Sequence, residues 1–282
     1  MFNRLSNSWE LVKASANVLK ADKELVIFPI LSAVALVIVS LIFLLPMIVA
    51  NLFDDMFKGS GVLGYAILFL FYIVQYCVIF FSNTALVGAA LIRLRGGDPT
   101  VSDGLQIALS RLGPILGYAV IAATVGMVLK LISDRSKNFI VQMLLSVFQF
   151  GWNVATFLVV PILAVENVGP IDAIKRSAAY LKKTWGEQIV GDLAISAIFT
   201  LINIGIIVLG VILTIGAVSI DAPVAIVIAI ILLFIMVLIF SILIGSTLSS
   251  IFVAAVYQFT TSGNAGAFFD QSLVQRAFRP RN

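Results

Sequence analysis

Five polar side chains, Gln142, Ser146, Gln149, Asn153 and Thr156, recur at steps of four, three, four and three through an apolar stretch, which places them on one helix face. A second set, Asp192, Ser196, Thr200 and Asn203 with Gly210, recurs in the same way some 50 residues on. Amides and hydroxyls donate and accept hydrogen bonds, and they do not titrate near neutrality. Their chemistry is therefore either hydrogen bonding between helices, worth roughly 0.6 to 2 kcal/mol per contact in a membrane, or the lining of a narrow polar path or lipid headgroup groove. The first use is preferred. In the second, Trp152 and Tyr76 would be aromatic neighbours, and the uncharged lining would suit a polar or zwitterionic solute. If the two helices are antiparallel, the faces can meet, because Gln149 lies 16 residues before Val165 and Asn203 lies 15 after Gln188.

Charged chemistry is sparse. The chain has no histidine and one cysteine, Cys77, inside an apolar run, so disulfide frameworks, thiolate zinc clusters and histidine-based acid/base sites are excluded. No phosphate loop, zinc-protease or serine-hydrolase pattern is present, and no metal or cofactor is implied. Glu166 is expected to pair with Lys175 or Arg176 at an interface, with a part in a cytoplasm-facing site as the alternative. Asp192 falls about four residues inside its stretch, roughly 6 Å at helical rise, too shallow for a proton relay. Lys130 lies near a helix end and can snorkel.

The elements that must carry these residues are set by composition. Of 282 residues 61% are hydrophobic and 11% charged, with a mean hydropathy of +1.13. A hydrocarbon core of about 30 Å needs about 20 apolar residues in a helix. Six stretches qualify, at approximately 25–51, 62–92, 113–132, 139–165, 188–218 and 224–257. The fold expected is all-α: a polytopic membrane bundle of six spans in three hairpins, forming one membrane domain over 1–282. Gly245, Ser246 and Thr247 mark a weak point expected in the sixth span, and Gly113 with Gly117 is a small-residue packing motif at the start of the third. No cleavable signal peptide is evident, because the first apolar run is too long and follows an amphipathic stretch.

Fourteen of the 18 Lys and Arg residues fall on one side of such a layout, and Lys58, Lys130, Arg135 and Lys137 fall on the other. The positive-inside rule then puts both termini in the cytoplasm. Before the first span, Phe2, Leu5, Trp9, Val12, Ala16 and Leu19 form an apolar stripe. Val101, Leu105, Ala108 and Leu112 do so before the third span, and Ile171, Ile174, Ala178, Leu181 and Trp185 before the fifth. These predict three amphipathic interfacial helices, whose Lys13, Lys20, Lys175, Arg176, Lys182 and Lys183 would contact the anionic cytoplasmic leaflet. The three align without gaps, Glu10, Asp103 and Asp172 being equivalent and Leu19, Leu112 and Leu181 following, as a threefold repeat would require. A fourth such piece is expected around Phe269 to Phe278. The charge pattern fits a lipid surface or an unidentified protein partner better than nucleic acid.

The run Pro161-Ile162-Leu163-Ala164-Val165-Glu166-Asn167-Val168-Gly169-Pro170, continuing through Asp172-Ala173-Ile174-Lys175-Arg176-Ser177, resembles a junction found in a broad set of uncharacterised prokaryotic six-span membrane proteins. These are of the domain-of-unknown-function type, and the membrane domain attached to some glycerophosphodiester phosphodiesterases is loosely similar. The resemblance implies a bacterial or archaeal cytoplasmic membrane and no activity, since no soluble catalytic domain is attached here. The sequence therefore points to a non-enzymatic membrane protein of structural or accessory type that organises membrane or recruits partners. A transporter or channel along the seam between spans four and five is the alternative, and a lipid-acting enzyme stands third.

Overall fold

A computed structural model describes residues 2–49, 62–185 and 194–270. Ten α-helices and one 3-10 turn account for nearly all of the described chain, and no strand occurs among the described residues. They are α1 (Phe2–Ala21), α2 (Ile27–Val49), α3 (Val62–Leu94), α4 (Val101–Ser110), α5 (Leu112–Arg135), α6 (Phe139–Thr156), α7 (Val159–Val165), α8 (Pro170–Trp185), α9 (Ala194–Ser219) and α10 (Val224–Ser262). Six segments are long and apolar enough to cross a membrane, as expected: α2, α3, α5, α6 continued by α7, α9 and α10. At 1.5 Å per residue α3 and α10 run about 50 and 58 Å. Both must tilt or project beyond the hydrocarbon.

The fourth span is broken, which the apolar run from 139 to 165 did not predict. Helix α6 stops at Thr156 and α7 restarts at Val159. Pro161 is the cause: it has no N–H, and its ring conflicts with the carbonyl of Phe157, four residues earlier. The sixth span, where a weak point was expected, runs as one helix through Gly245, Ser246 and Thr247. Gly245 serves close packing instead, since a Cβ there would lie 2.7 Å from the Phe199 ring of α9.

The core lies at one end of the bundle. Fully buried side chains gather on the C-terminal parts of α3 and α10 (Leu86, Leu91, Ile251, Ala255), the first turns of α5 (Ile115) and most of α7 (Ile162, Leu163). Helix α3 is the hub, touching α2, α4, α5, α7 and α10. The other halves of the spans are exposed over large apolar residues such as Ile42, Phe148, Leu213 and Phe240, the surface a hydrocarbon solvent would cover.

Helices α1, α4 and α8 pack onto the closed end with faces that overlap the expected stripes at Val12, Ala108 and Leu181 and extend beside them. Two aligned places are buried in all three, Leu11 and Ser15 in α1, Gly104 and Ala108 in α4, and Ala173 and Ser177 in α8; α1 also buries Val12, Ala14 and Val18, and α8 Leu181. Small residues let α4 approach so closely that a Cβ on Gly104 would lie 2.7 Å from the Ala85 carbonyl oxygen and 2.5 Å from the Phe28 ring. Of the stripe residues, Trp9, Leu112 and Ile171 are exposed on the protein surface. Small residues thus meet the bundle along α4 and at Ala173 and Ser177 of α8, whereas α1 packs with the larger Leu11, Val12 and Val18. Of the piece expected around Phe269 to Phe278, Phe269 is buried and lies outside any helix, and residues from 271 on fall outside the described residues.

Candidate functional site

Polar groups collect at the packed end, and Glu166 is their centre. It is the C-cap residue of α7 with an extended backbone, so its carboxylate is free to reach sideways to other helices. Arg176 Nη1 of α8 donates to Oε2 at 2.5 Å. Tyr180 of α8 and Tyr257 of α10 both donate to Oε1, at 3.0 and 3.1 Å. The expected Glu166–Arg176 pair is therefore present, and Lys175 bonds instead to Asp172 in its own helix, at 3.8 Å. Arg176 and Tyr180 sit four residues apart and so share a face. The hydrogen bond that Arg176 donates to Glu166 raises the Arg176 pKa above its ordinary value, and burial, then the hydrogen bond to Glu166, raises that of Tyr180.

A second cluster joins α1 to α3. Asp22, almost fully buried, lies 3.5 Å from Arg93 Nε, and Arg93 also bonds Asp98. Burial pushes the Asp22 carboxyl above its ordinary range, with Arg93 opposing. Glu24 accepts the Val101 N–H at 3.1 Å, tying the start of the first span to α4. Helix α4 begins with a reciprocal capping box between Thr100 and Asp103, and the bonds from Thr100 hold the Asp103 carboxyl below the usual range. Arg111 Nη1 reaches Asn167 at 2.6 Å. The sequence offered little warning of Asp22, Arg93, Tyr180 and Tyr257: each is unremarkable alone and gains meaning from a partner 14 to 91 residues away.

The break in span four adds one more tie. The Leu158 N–H donates to the Ser177 hydroxyl oxygen of α8 at 3.0 Å in a buried setting. A donor freed by the proline-induced break is thereby satisfied from another helix, as a low-dielectric environment demands.

The seam expected between spans four and five is not assembled among the described residues. Helix α6 packs against α8 and α5, whereas α9 packs against α10 and α1. Gln142 turns back to the end of α5, donating to the carbonyls of Ser133 and Ser136 at 3.2 and 2.6 Å, which caps orphan acceptors there. Ser146 and Thr156 bond carbonyls of their own helix, those of Gln142 and Trp152. Gln149 and Asn153 lie on the exposed side. From the other stripe, Asn203 accepts from Ser241 of α10 at 2.7 Å, and Gly210 packs against Phe234 of the same helix. Thr200 lies on α9, Asp192 falls outside the described residues, and so does the Ser196 side chain. The reason is proximity along the chain: α10 follows α9 after a short turn and takes up its polar face. Gln75, which the sequence reading passed over, makes the comparable bond in the first pair of spans, donating to Ser40 at 2.9 Å. Of the collar cations, Lys13, Lys20, Lys175, Arg176, Lys182 and Lys183 are all exposed.

This arrangement of spans, packed end and bonded collar defines an all-helical polytopic membrane protein. The chain belongs to a family of unknown function (DUF6159), whose model matches residues 62–268. No curated protein matches, and the likeness to the phosphodiesterase-attached membrane domain finds no support.

Proposed function

We propose that the protein is a non-enzymatic membrane scaffold, its collar of α1, α4 and α8 lying on the anionic cytoplasmic leaflet, where it organises lipid or holds a protein partner. One observation carries the reading. Helices α1 and α8 each spend one face on the bundle, leaving Lys13, Lys20, Lys175, Arg176, Lys182 and Lys183 exposed together with apolar residues at Trp9 and Ile171. An exposed tryptophan beside lysines suits a headgroup region. Each cation near an anionic surface adds about 1 kcal/mol of attraction, screened by salt. Glu166, the acid best placed for chemistry, has both oxygens engaged by donors, which supports holding helices rather than transferring protons.

Amide hydrogen exchange of the collar in nanodiscs tests the proposal. Protection of α1 and α8 should be greater in phosphatidylglycerol than in phosphatidylcholine. The difference should fall in high salt and when Lys13, Lys20, Lys175, Lys182 and Lys183 are changed to Gln. Equal protection in both lipids would overturn the scaffold reading. So would passage of a polar solute through reconstituted vesicles that is blocked by Gln149→Leu or Asn153→Leu.

A further inference from the structure

The far ends of α3 and α5 enclose a cavity of about 140 Å³ that the collar reading leaves unused, lined by Tyr65, Leu68 and Tyr72 from α3 and by Met127, Lys130, Leu131, Asp134 and Arg135 from α5. We propose that it is a binding site for the phosphate of a phospholipid in the leaflet opposite the collar. The argument begins with charge. Only four of the 18 basic residues fall on this side of the layout, and Lys130, Arg135 and Lys137 stand within eight consecutive positions of one another. Two of them line the cavity. Positive charge is placed there against the overall trend, at the same level as a concave surface.

The lining is graded. Asp134 and Arg135 form the last turn of α5, and Lys130 lies one turn deeper, 3.6 Å from Asp134. The antiparallel α3 places Tyr65 in its first turn and Tyr72 two turns further in. Leu68, Met127 and Leu131 supply the apolar part. The two cations exceed the one carboxylate, so the lining carries a net single positive charge. That suits a phosphate diester, with Asp134 holding the Lys130 ammonium toward the mouth. Phenols at this level can donate to phosphate oxygens or to the glycerol esters. Exposed apolar side chains continue beside the cavity along α5, at Val128 and Ile132, as acyl chains require. Snorkelling alone accounts for Lys130, but it does not account for a cavity that two tyrosines of α3 also line.

Native mass spectrometry of the full chain released from nanodiscs provides the test, scoring phosphatidylglycerol retained after delipidation. The wild type should keep one such lipid in preference to diacylglycerol, which lacks the phosphate. Lys130→Gln and Arg135→Gln should each weaken retention about fivefold, and Lys130→Arg should restore it, which separates loss of charge from loss of folding. Lys182→Gln with Lys183→Gln, on the collar, should leave this lipid in place, so failure of the scaffold reading would be visible separately. Equal retention of diacylglycerol, indifference to both substitutions, or displacement by millimolar inorganic phosphate would overturn the assignment.

Discussion

Glu166 accepts from one guanidinium and two phenols that belong to two different helices, so removing any donor has a consequence set by its own surroundings. Tyr257 is buried, and its hydroxyl bonds Glu166 at 3.1 Å. Tyr257→Phe deletes that bond while keeping the ring, and should cost about 1 kcal/mol, measured as a fall in the thermal midpoint of the detergent-solubilised protein. No change would mean that Arg176 and Tyr180 satisfy the carboxylate without it. Asp22 gives a prediction with a sign. Burial raises its pKa in the folded state above the ordinary aspartate value of 3.8, so the native state binds a proton more readily than the unfolded state. Its contribution to stability is therefore fullest below that value and declines as pH rises through the raised one. Asp22→Asn removes this decline: the midpoint difference between variant and wild type should move in the variant's favour from pH 3.5 to pH 7. A constant difference would show that Arg93 balances the burial.

At the scale of the element, the broken fourth span is held by two residues 16 apart in sequence. Pro161 creates the break and Ser177 satisfies a donor it frees. Ser177→Ala should cost about 1 to 3 kcal/mol, the cost of leaving a buried N–H unpaired. Pro161→Ala allows the helix to close through Leu158, so the same serine substitution should cost less in that background. A double-mutant cycle reads the coupling directly, and strict additivity would sink the account. This junction also shows what was legible beforehand. Apolar length fixes a span, because lipid offers the backbone no partner, and all six were visible on that ground. A proline inside an apolar run is ambiguous, since membrane helices often accommodate one, and whether it breaks the helix depends on a hydroxyl from another element. The collar faces were legible in part for a related reason: hydrophobicity marks Val12, Ala108 and Leu181, which are buried, while close packing on the bundle also selects Gly104, Ala173 and Ser177, which it does not mark. Periodicity within one helix cannot choose the neighbour, and Asn203 found Ser241 rather than span four.

On the scale of the whole molecule, the packed end and the basic end are the same end. The residues that close the core are followed by Arg93, Arg111 and the α8 lysines, while the open half carries Lys130, Arg135 and Lys137. If the collar rests on the cytoplasmic leaflet, fourteen basic residues lie inside and four outside, which is the distribution that membrane insertion favours. The reversed orientation would put the collar against the other surface and remove its attraction to anionic lipid. Single cysteines in a Cys77→Ala background decide between them. A cysteine replacing Lys137 should react with a membrane-impermeant maleimide on intact cells, and one replacing Lys182 should react only after permeabilisation. The opposite pattern would reverse the bundle and take the scaffold reading with it. The phosphate site between α3 and α5 would then face the cytoplasm, keeping its chemistry and changing its leaflet.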